Sequence, residues 1–370
     1  MNHQNAQNII DWYQQHKERK LFGRRITFDM ISPILKNLPD IFNVVQIGKS
    51  FQKKTIYKVT IGTGKTNVLL WSQMHGNEST GTKAIFDLFQ FFTNPQKNSE
   101  LVNEILSKCT LVFIPMLNPD GAEAYTRINA QDIDLNRDAV ALEANESRIL
   151  HTILKQFNPL FCFNLHDQRT IFSVGNKVLP ATISFLAPSE DEARTVTEGR
   201  KITMSVIVAM NSVLQKMIPG QIGRYTDEFY PTATGDNFQK SGHNTILIEA
   251  GHYKNDYDRE VVREYNFIAL LTGIQHIADG EFKNNTPYFN IPNNEKKYLD
   301  IIYTDVFLAD LNQKVNIGIV FKEELIKDNI LFRPSIEHIG ELNDFNANTY
   351  VDIKGNSFKN KETFLKTIEN

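Results

Sequence analysis

Two residue types that bind metals stand three positions apart, at His75 and Glu78 in the run MHGNE. The apolar run before them, residues 67–73, has the length of a buried strand, so both side chains would leave the turn at its end. Zinc accepts imidazole nitrogen and carboxylate oxygen as ligands. Such a pair alone is weak evidence, because a turn histidine followed by a carboxylate near a helix N-terminus is the more common arrangement.

His166 is the candidate for a third ligand, since it follows another apolar run at residues 160–165. A catalytic zinc site keeps three protein ligands and one open position for water. The polar Asn164 inside that run and the Asp167 after it suit a site better than a core. The competing interpretation is a histidine that merely satisfies its hydrogen bonds at a strand end.

Four short apolar runs of strand length end in polar or charged residues. The runs are residues 67–73, 110–116, 160–165 and 245–249, and the polar positions are 75–78, 118–121, 166–167 and 249. In open α/β sheets, sites form at the carboxyl ends of strands. We therefore expect these residues to meet at one edge of a sheet.

Helical and strand-like patterns alternate along most of the chain. Helical spacing occurs at residues 5–20, 80–92, 146–157, 191–217 and 258–278, and two further strands are expected at 42–50 and 54–61. Strands that are apolar throughout suit a sheet covered on both faces. The pattern predicts an α/β fold with a mixed, largely parallel central sheet flanked by helices.

The composition and the hydrophobic pattern of the sequence change near residue 284. Residues 1–283 are expected to form the large α/β domain, and residues 284–296, rich in Asn and Pro, read as a linker. Residues 297–370 contain shorter strand-like runs and predict a small β-rich C-terminal subdomain.

Composition excludes several classes of protein. The net charge of −3 over 370 residues gives no reason to expect general binding to nucleic acid or to anionic membranes. Two cysteines, Cys109 and Cys162, are too few for a disulfide framework or a cysteine zinc site. The polar N-terminus lacks a secretory signal, and no run reaches the roughly 18 apolar residues of a membrane span, so we expect a cytoplasmic protein.

Taken in order, these motifs resemble the M14 family of zinc carboxypeptidases. The resemblance covers about residues 40–280. It rests on IGKS followed by VLLWSQMHGNEST, on LNPDGAEAYTRINAQDIDLNRD, on NLHDQ and on ILIEAG. It implies a zinc carboxypeptidase-like catalytic domain that binds one Zn²⁺ ion. HGNE and DLNR also occur in the related succinylglutamate desuccinylase and aspartoacylase group, whereas the NPDG element favours the peptidase branch.

The resemblance implies a role for each matching residue. His75, Glu78 and His166 would be the metal ligands, and Asp134 would orient the first histidine, as residues that hydrogen-bond to metal ligands do. Without the motif, Asp134 would read as a turn residue before a helix.

Four further residues would act on the substrate. Glu249 matches the general base and acid, and Arg127 matches the arginine that polarises the scissile carbonyl. Asn136 and Arg137 match the pair that holds the terminal carboxylate, which an arginine fork binds through two parallel bonds. Outside the motif, both arginines would read as solvated surface charges.

Two assignments near residue 230 leave alternatives open. Tyr230, in FYPTATGDNF, resembles the mobile tyrosine that closes over the substrate, but Tyr225 is close enough to compete for that role. Asp236 would lie near the specificity pocket and could favour a basic terminal residue. An ordinary loop or capping aspartate is the competing interpretation.

Three functions are compatible with these residues. The first is a hydrolase that removes a C-terminal amino acid from peptides by metal-activated water with a glutamate general base. The second is a zinc-dependent deacylase or amidase acting on an N-acyl amino acid or small amide, which a C-terminal domain folded over the site would favour. The third is a binding or scaffold protein with a decayed site, against which every chemical position being filled argues.

The expected partner is a peptide or acyl-amino-acid substrate with a free carboxylate. Neither a nucleic acid nor a membrane is expected as a partner, and the sequence leaves the oligomeric state open.

Overall fold

The computed structural model describes residues 3–369, and within them the chain forms ten α-helices and sixteen β-strands. Residues 1, 2 and 370, at the ends of the predicted domains, lie outside the described residues. The helices are α1 (His3–His16), α2 (Phe28–Lys36), α3 (Thr80–Thr93), α4 (Ser99–Lys108), α5 (Pro119–Ala124), α6 (Asn145–Phe157), α7 (Glu198–Leu214), α8 (Thr234–Lys240), α9 (Glu260–Asp279) and α10 (Lys361–Ile368). The strands are β1 (Asn43–Lys49), β2 (Thr55–Ile61), β3 (Thr66–Trp71), β4 (Cys109–Ile114), β5 (Phe161–Asp167), β6 (Phe172–Val174), β7 (Leu179–Pro180), β8 (Ile183–Leu186), β9 (Ile222–Arg224), β10 (Asn244–Ala250), β11 (Glu295–Lys296), β12 (Tyr298–Leu308), β13 (Gln313–Ile326), β14 (Asn329–Gly340), β15 (Asn346–Asp352) and β16 (Ser357–Phe358).

An eight-stranded sheet in the order β1-β2-β4-β3-β5-β10-β8-β9 forms the centre of the large domain. Its four middle strands, β4, β3, β5 and β10, run parallel to one another. On one side β2 pairs antiparallel with β4, and on the other β8 pairs antiparallel with β10. The predicted mixed α/β architecture is therefore confirmed.

Helices cover both faces of this sheet, which explains why the middle strands are apolar along their whole length. In β5, Phe161, Phe163 and Leu165 pack in the core shared with α3, α7 and α9. The intervening Cys162 packs with Trp71 in a second core on the opposite face. Alternate residues of a strand point to opposite faces, so a strand covered on both sides has no polar face.

The observed α7 is shorter than the predicted helix at residues 191–217, because it begins only at Glu198. Thr197 supplies the reason: its hydroxyl accepts a hydrogen bond from the backbone N–H of Arg200 at 3.1 Å. This N-cap satisfies one of the free donors of the first turn and fixes where the helix starts.

The longest helix of the described chain, α9, is amphipathic only in part. Its Arg263 is buried and pairs with Asp87 of α3 at 2.7 Å. Burial of a charge requires such a partner, so the pair locks α9 against α3. Among residues 3–369, no helix is both long enough and apolar enough to cross a membrane.

A second sheet, in the order β14-β13-β12-β15 with β16 beside β12, follows the large domain. The expected β-rich C-terminal region is thus confirmed, while the exact domain boundaries remain a prediction. Residues 284–296 pack against the large domain: Tyr288 and Ile291 are buried in its core, and β11 pairs with β6.

A buried polar cluster joins the C-terminal sheet to the large domain. The Tyr257 hydroxyl donates to Asp300 Oδ1 at 2.8 Å, and Asn348 Nδ2 donates to the Tyr257 oxygen at 3.0 Å. Asn348 Nδ2 also lies 2.9 Å from Nε2 of His252. Buried polar groups must find partners, so this cluster fixes how the sheet sits on the domain.

The two-sided core gives a stability prediction. We expect Phe163→Ala to lower the free energy of unfolding by about 3–5 kcal/mol, because truncation of a buried aromatic ring leaves a cavity. Denaturant unfolding followed by circular dichroism measures the change. Phe22→Ala, at a position that is 61% exposed, is the matched control and should change stability by at most about 0.5 kcal/mol. Equal effects of the two substitutions would contradict the described core.

Candidate metal centre

The carboxyl ends of three adjacent parallel strands deliver the central side chains of the site. His75 and Glu78 follow β3, His166 lies near the end of β5, and Glu249 lies near the end of β10. In the β5–β10 ladder, Glu249 is the direct register partner of His166. The strand pairing itself therefore sets the predicted general base beside the predicted ligand.

The three predicted metal ligands converge on one buried point. Nδ1 of His75 lies 2.9 Å from Glu78 Oε1, and Nδ1 of His166 lies 2.9 Å from Glu78 Oε2. The two ring nitrogens are 3.1 Å apart, and all three candidate ligand atoms lie within 4.8 Å of one another. All three residues are buried.

The distribution of hydrogens and lone pairs on these side chains suits the binding of a cation. Nε2 of His75 lies 3.0 Å from Asp134 Oδ1 and can only donate to it, so in the neutral ring Nδ1 carries a lone pair. That lone pair faces a carboxylate and a second imidazole nitrogen. Nε2 of His166 is buried without a hydrogen-bond partner. Two imidazole nitrogens and a carboxylate with converging lone pairs form the donor set that zinc prefers.

Asp134 lies directly behind His75, where the resemblance predicted an orienting carboxylate. Its Oδ2 accepts from Arg127 Nε at 3.0 Å, and its Oδ1 also accepts from the backbone N–H of Asn136 at 2.9 Å. Burial alone would raise the pKa of Asp134, but the hydrogen bond to His75 and the charges of His75 and Arg127 hold that pKa below its usual value. The carboxylate stays ionised and fixes the ring tautomer.

Arg127 stands at the border between the cluster and solvent. Its Nη1 lies 3.3 Å from Glu78 Oε1, and its side chain is 47% exposed. The guanidinium therefore has donors left over that face the cavity. This geometry suits a group that stabilises negative charge developing beside the metal position.

Glu249 is buried close to other carboxylates. Burial raises its pKa well above the usual value, and the negative charges of Glu78 and Asp167 raise it further, against the opposing charges of Arg127 and Arg259. A carboxylate with a raised pKa is suited to accept a proton and hold it. A cation bound at the neighbouring cluster would oppose this shift.

Asn136 and Arg137 follow Asp134 in a short 3₁₀ turn, Leu135–Arg137. The buried Asn136 accepts from the backbone N–H of Thr234 through its side-chain oxygen at 3.3 Å. Arg137 is exposed, and its guanidinium carbon lies 5.0 Å from the centre of the Tyr230 ring. Both predicted carboxylate-binding residues thus border the same cavity as the metal cluster.

The two candidate tyrosines occupy different parts of the cavity. Tyr230 is 41% exposed and its hydroxyl donates to Glu228 at 3.1 Å. Tyr225 is half-buried and its ring lies 5.5 Å from that of Phe172. Burial, together with the charges of Glu249 and Glu78, raises the pKa of Tyr225 to about 12. Both tyrosines line the cavity, Tyr225 beside Phe172 and Tyr230 against Arg137.

Asp236 combines both interpretations that the sequence allowed. Its Oδ1 accepts from the backbone N–H of Tyr230 at 3.2 Å, which is the contact of an ordinary loop aspartate. It also lines the cavity, together with Leu247 and Leu186. Burial raises the pKa of Asp236 to about 6.

One cavity of about 970 Å³ brings the predicted residues together. All of them line it except Asp134, which lies behind His75. Five residues of the C-terminal sheet also form part of its wall. They are Val320, Phe321, Lys322 and Glu323 of β13 and Glu337 of β14.

The NPDG segment supports the turn that carries the first two ligands. A Cβ atom on Gly76 would lie 1.9 Å from the carbonyl carbon of Gly121, so the two backbones touch. Asn118 Oδ1 accepts from the backbone N–H of Gly121 at 2.8 Å, and its Nδ2 donates to the carbonyl of Met74 at 3.2 Å. Only glycine permits such close backbone approach.

Sequence reasoning gave no role to Asp167, although this residue is tightly integrated with the ligands. Its backbone N–H donates to Glu78 Oε2 at 3.0 Å, and its Oδ2 accepts from the Thr80 hydroxyl at 2.7 Å. The same oxygen pairs with Arg259 at 3.1 Å. Its position directly after His166 was the available signal.

The sequence predicts no role for Arg259, yet its side chain joins the ends of two strands. Its Nη1 donates to the carbonyl of Ala250 at 2.7 Å, and its Nη2 donates to the carbonyl of Gln168. Those residues follow Glu249 and Asp167, so the buried guanidinium bridges the ends of β10 and β5. In the sequence, Arg259 is merely one charged residue at the start of a predicted helix, and nothing distinguishes it.

Asp134 provides a test of this arrangement. We expect Asp134→Asn to weaken zinc affinity by about 10–100-fold, because the ring of His75 loses the carboxylate that fixes its tautomer. Competition titration with a chelator of known affinity measures this. Asp132→Asn, at an exposed position two residues earlier, is the matched control and should bind zinc like the wild type. Unchanged affinity in Asp134→Asn would remove the carboxylate from the site.

Comparisons with known proteins agree with this geometry. Residues 29–158 match the family model of zinc carboxypeptidases. Carboxypeptidase D from Mus musculus is 22% identical over 147 residues, which cover 35% of this chain and 11% of that protein. A probable carboxypeptidase 2 from Arthroderma benhamiae is 29% identical over 103 residues, which cover 28% of this chain and 19% of that protein. The matches therefore span less than a fifth of each relative.

The fold is also found in solved structures. A metallo-carboxypeptidase from Burkholderia cenocepacia superposes with a TM-score of 0.55 at 17% identity, covering 67% of this chain and 68% of that one. At this identity the likeness shows the fold. The family match over residues 29–158, the shared fold and the order of the motifs all agree with the resemblance to the M14 family of zinc carboxypeptidases.

Proposed function

We propose that this protein is a zinc-dependent hydrolase that removes the C-terminal amino acid from a peptide. The observation that carries the proposal is the buried convergence of His75, Glu78 and His166 at a strand edge, with Glu249 in register beside His166. Zinc at this point would lower the pKa of a bound water toward ~7 and polarise the scissile carbonyl.

Residues around the metal cluster would carry out the other steps of the hydrolysis. Glu249, whose pKa is raised by burial, would take a proton from water and later deliver it to the leaving amine. Arg127 would donate its free N–H groups to the carbonyl oxygen as negative charge develops there. Asp134 would keep His75 oriented throughout, because it bonds to the ring nitrogen that faces away from the metal point.

Arg137 and Asn136 would hold the terminal carboxylate. The guanidinium of Arg137 rests on the Tyr230 ring, and both side chains are exposed, so either can move when a carboxylate arrives. Under this proposal Tyr230 closes over the substrate. Tyr225 would stay near the metal, where Glu249 and Glu78 face it.

A second candidate function is the removal of a small acyl group from an N-acyl amino acid. One specific observation favours it: strands β13 and β14 of the C-terminal sheet form part of the wall of the cavity that contains the metal cluster. Mass spectrometry of products from a mixed pool of peptides and N-acyl amino acids distinguishes the two functions. It shows which bond breaks and which terminal residue leaves.

The general base can be tested separately from metal binding. We expect Glu249→Gln to bind zinc at wild-type stoichiometry but to lose about 10²–10⁴-fold in kcat, because the amide cannot accept the proton of water. Elemental analysis and a peptide hydrolysis assay measure the two quantities. The exposed Glu281→Gln is the control and should retain full activity. A fully active Glu249→Gln protein would end this assignment.

The ligand set has its own test. We expect His75→Ala to lose bound zinc, because two ligands alone do not complete a catalytic zinc site. His151→Ala, outside the cavity lining, is the matched control and should keep its metal. Zinc at wild-type stoichiometry in His75→Ala would count against the assigned ligands. Absence of zinc from the wild-type protein after loading would favour the non-catalytic alternative.

Asp236 predicts a pH-dependent side-chain preference. Its pKa of about 6 means that it is neutral below that pH and negatively charged above it. We expect the ratio of kcat/KM for Lys-terminal over Leu-terminal peptides to rise between roughly pH 5 and pH 7 in the wild type, because only the ionised carboxylate attracts a cation. Asp236→Asn should flatten this ratio. The same rise in Asp236→Asn would exclude the carboxylate as its source.

A further inference from the structure

The C-terminal sheet meets the cavity on the side away from the proposed carboxylate-binding residues. On one side of the metal cluster, Glu78 and His75 contact Arg127 and Asp134, which lead to Asn136 and Arg137. On the other side, Glu78 contacts the backbone of Asp167, which leads to Arg259. The lining residue Glu323 belongs to this second side, because it pairs with Arg24 and its charge acts on Arg259, and Phe321 lines the cavity two residues before it.

A cluster of two buried residues and the half-buried Glu323 fastens the sheet at this wall. The Glu323 carboxylate accepts from Arg24 Nη2 at 2.5 Å through Oε1 and from the Tyr125 hydroxyl through Oε2. Arg24 and Tyr125 are buried residues of the large domain, and both line the cavity. A buried guanidinium requires such a partner, so the contact is an obligatory part of the packing.

The wall stands close to the metal cluster. Ser79, the residue after Glu78, donates from its hydroxyl to the backbone carbonyl of Arg24 at 2.6 Å. Arg24 therefore contacts the neighbour of a metal ligand through its backbone and Glu323 through its guanidinium. Each residue of an extended peptide adds about 3.3–3.6 Å, so a wall at this position would determine how many residues fit beside the metal cluster.

We infer that β13 restricts this enzyme to short substrates, with one or two residues or a small acyl group on the acyl side of the scissile bond. This inference rests on the proposed function, because it places the terminal carboxylate at Arg137 and the scissile carbonyl beside the metal. The acyl side of such a substrate runs toward Phe321 and Glu323. A longer peptide collides with β13 unless the sheet is displaced.

The test is a ladder of N-acetylated peptides that share their C-terminal residues and carry one, two, three or five residues on the acyl side. In the wild type, kcat/KM should fall by at least about tenfold when the substrate carries more than two residues on the acyl side. A small steric increase in the activation free energy is enough for a fall of this size. Binding of the same ladder to zinc-loaded Glu249→Gln, measured by titration calorimetry, should weaken in the same order. Equal kcat/KM along the whole ladder would overturn the inference.

Two substitutions of the wall sharpen the test. Glu323→Ala releases the contact with Arg24 and Tyr125, and Phe321→Ala shortens the wall while leaving that contact intact. Either should reduce the length dependence at least about threefold in proteins whose thermal unfolding shows that they are folded. Glu324→Ala is the matched control, since Glu324 pairs with the exposed Arg333 at 2.9 Å and lies outside the cavity lining. Wild-type length dependence in both folded wall variants would also overturn the inference.

Failure of the proposed function gives a different result. In that case the zinc-loaded wild type cleaves no member of the ladder, whatever its length. The calorimetric ladder still reports whether β13 limits the size of the ligand. Length-independent cleavage, by contrast, would leave the proposed function intact and remove only the role of β13.

Discussion

The site depends on the burial of several carboxylates in a small volume. Glu78, Glu249 and the side chain of Asp167 are buried where the parallel strands end, and like charges so close together repel one another strongly. Two arginines offset this repulsion: Arg259 lies behind the strand ends and pairs with Asp167, and Arg127 lies at the entrance of the cavity and pairs with Glu78. A divalent cation between His75, Glu78 and His166 would neutralise the remaining negative charge. Metal binding would therefore stabilise the folded form of this edge of the sheet.

The edge of the central sheet that carries the candidate ligands is also the edge near which the C-terminal sheet packs. Parallel pairing brings the ends of β3, β5 and β10 together, and β13 then packs across the side that Arg24 and Tyr125 present. The large domain holds the candidate ligands and Glu249, while β13 forms part of the wall of the cavity around them. Under the proposed function, the size of the substrate would therefore depend on this wall, and the reaction itself on the metal ligands.

Much of the fold was predictable because burial on both faces leaves a clear pattern. The strands around Trp71, Phe163 and Ile248 are apolar throughout, and the ligands follow them directly in the sequence. Arg259 and Glu323 were not predictable. Their partners lie far away in the chain, and a lone charged residue in a sequence looks the same whether it is solvated or buried in an ion pair. The start of α7 was also missed, since a single threonine cap competes with a long helical pattern.

The contact between Gly76 and Gly121 bears on how relatives of this chain should be interpreted. A Cβ atom on Gly76 would meet the backbone of Gly121, and one on Gly121 would meet Asn118 and the carbonyl of Ile128, so packing alone requires glycine at both positions, independently of the metal. A related chain without a metal site would still need both glycines to hold the turn after β3 against the NPDG segment. The glycines of the HG and NPDG segments therefore report on the architecture of this turn, whereas His166 and Glu249 report on the candidate site.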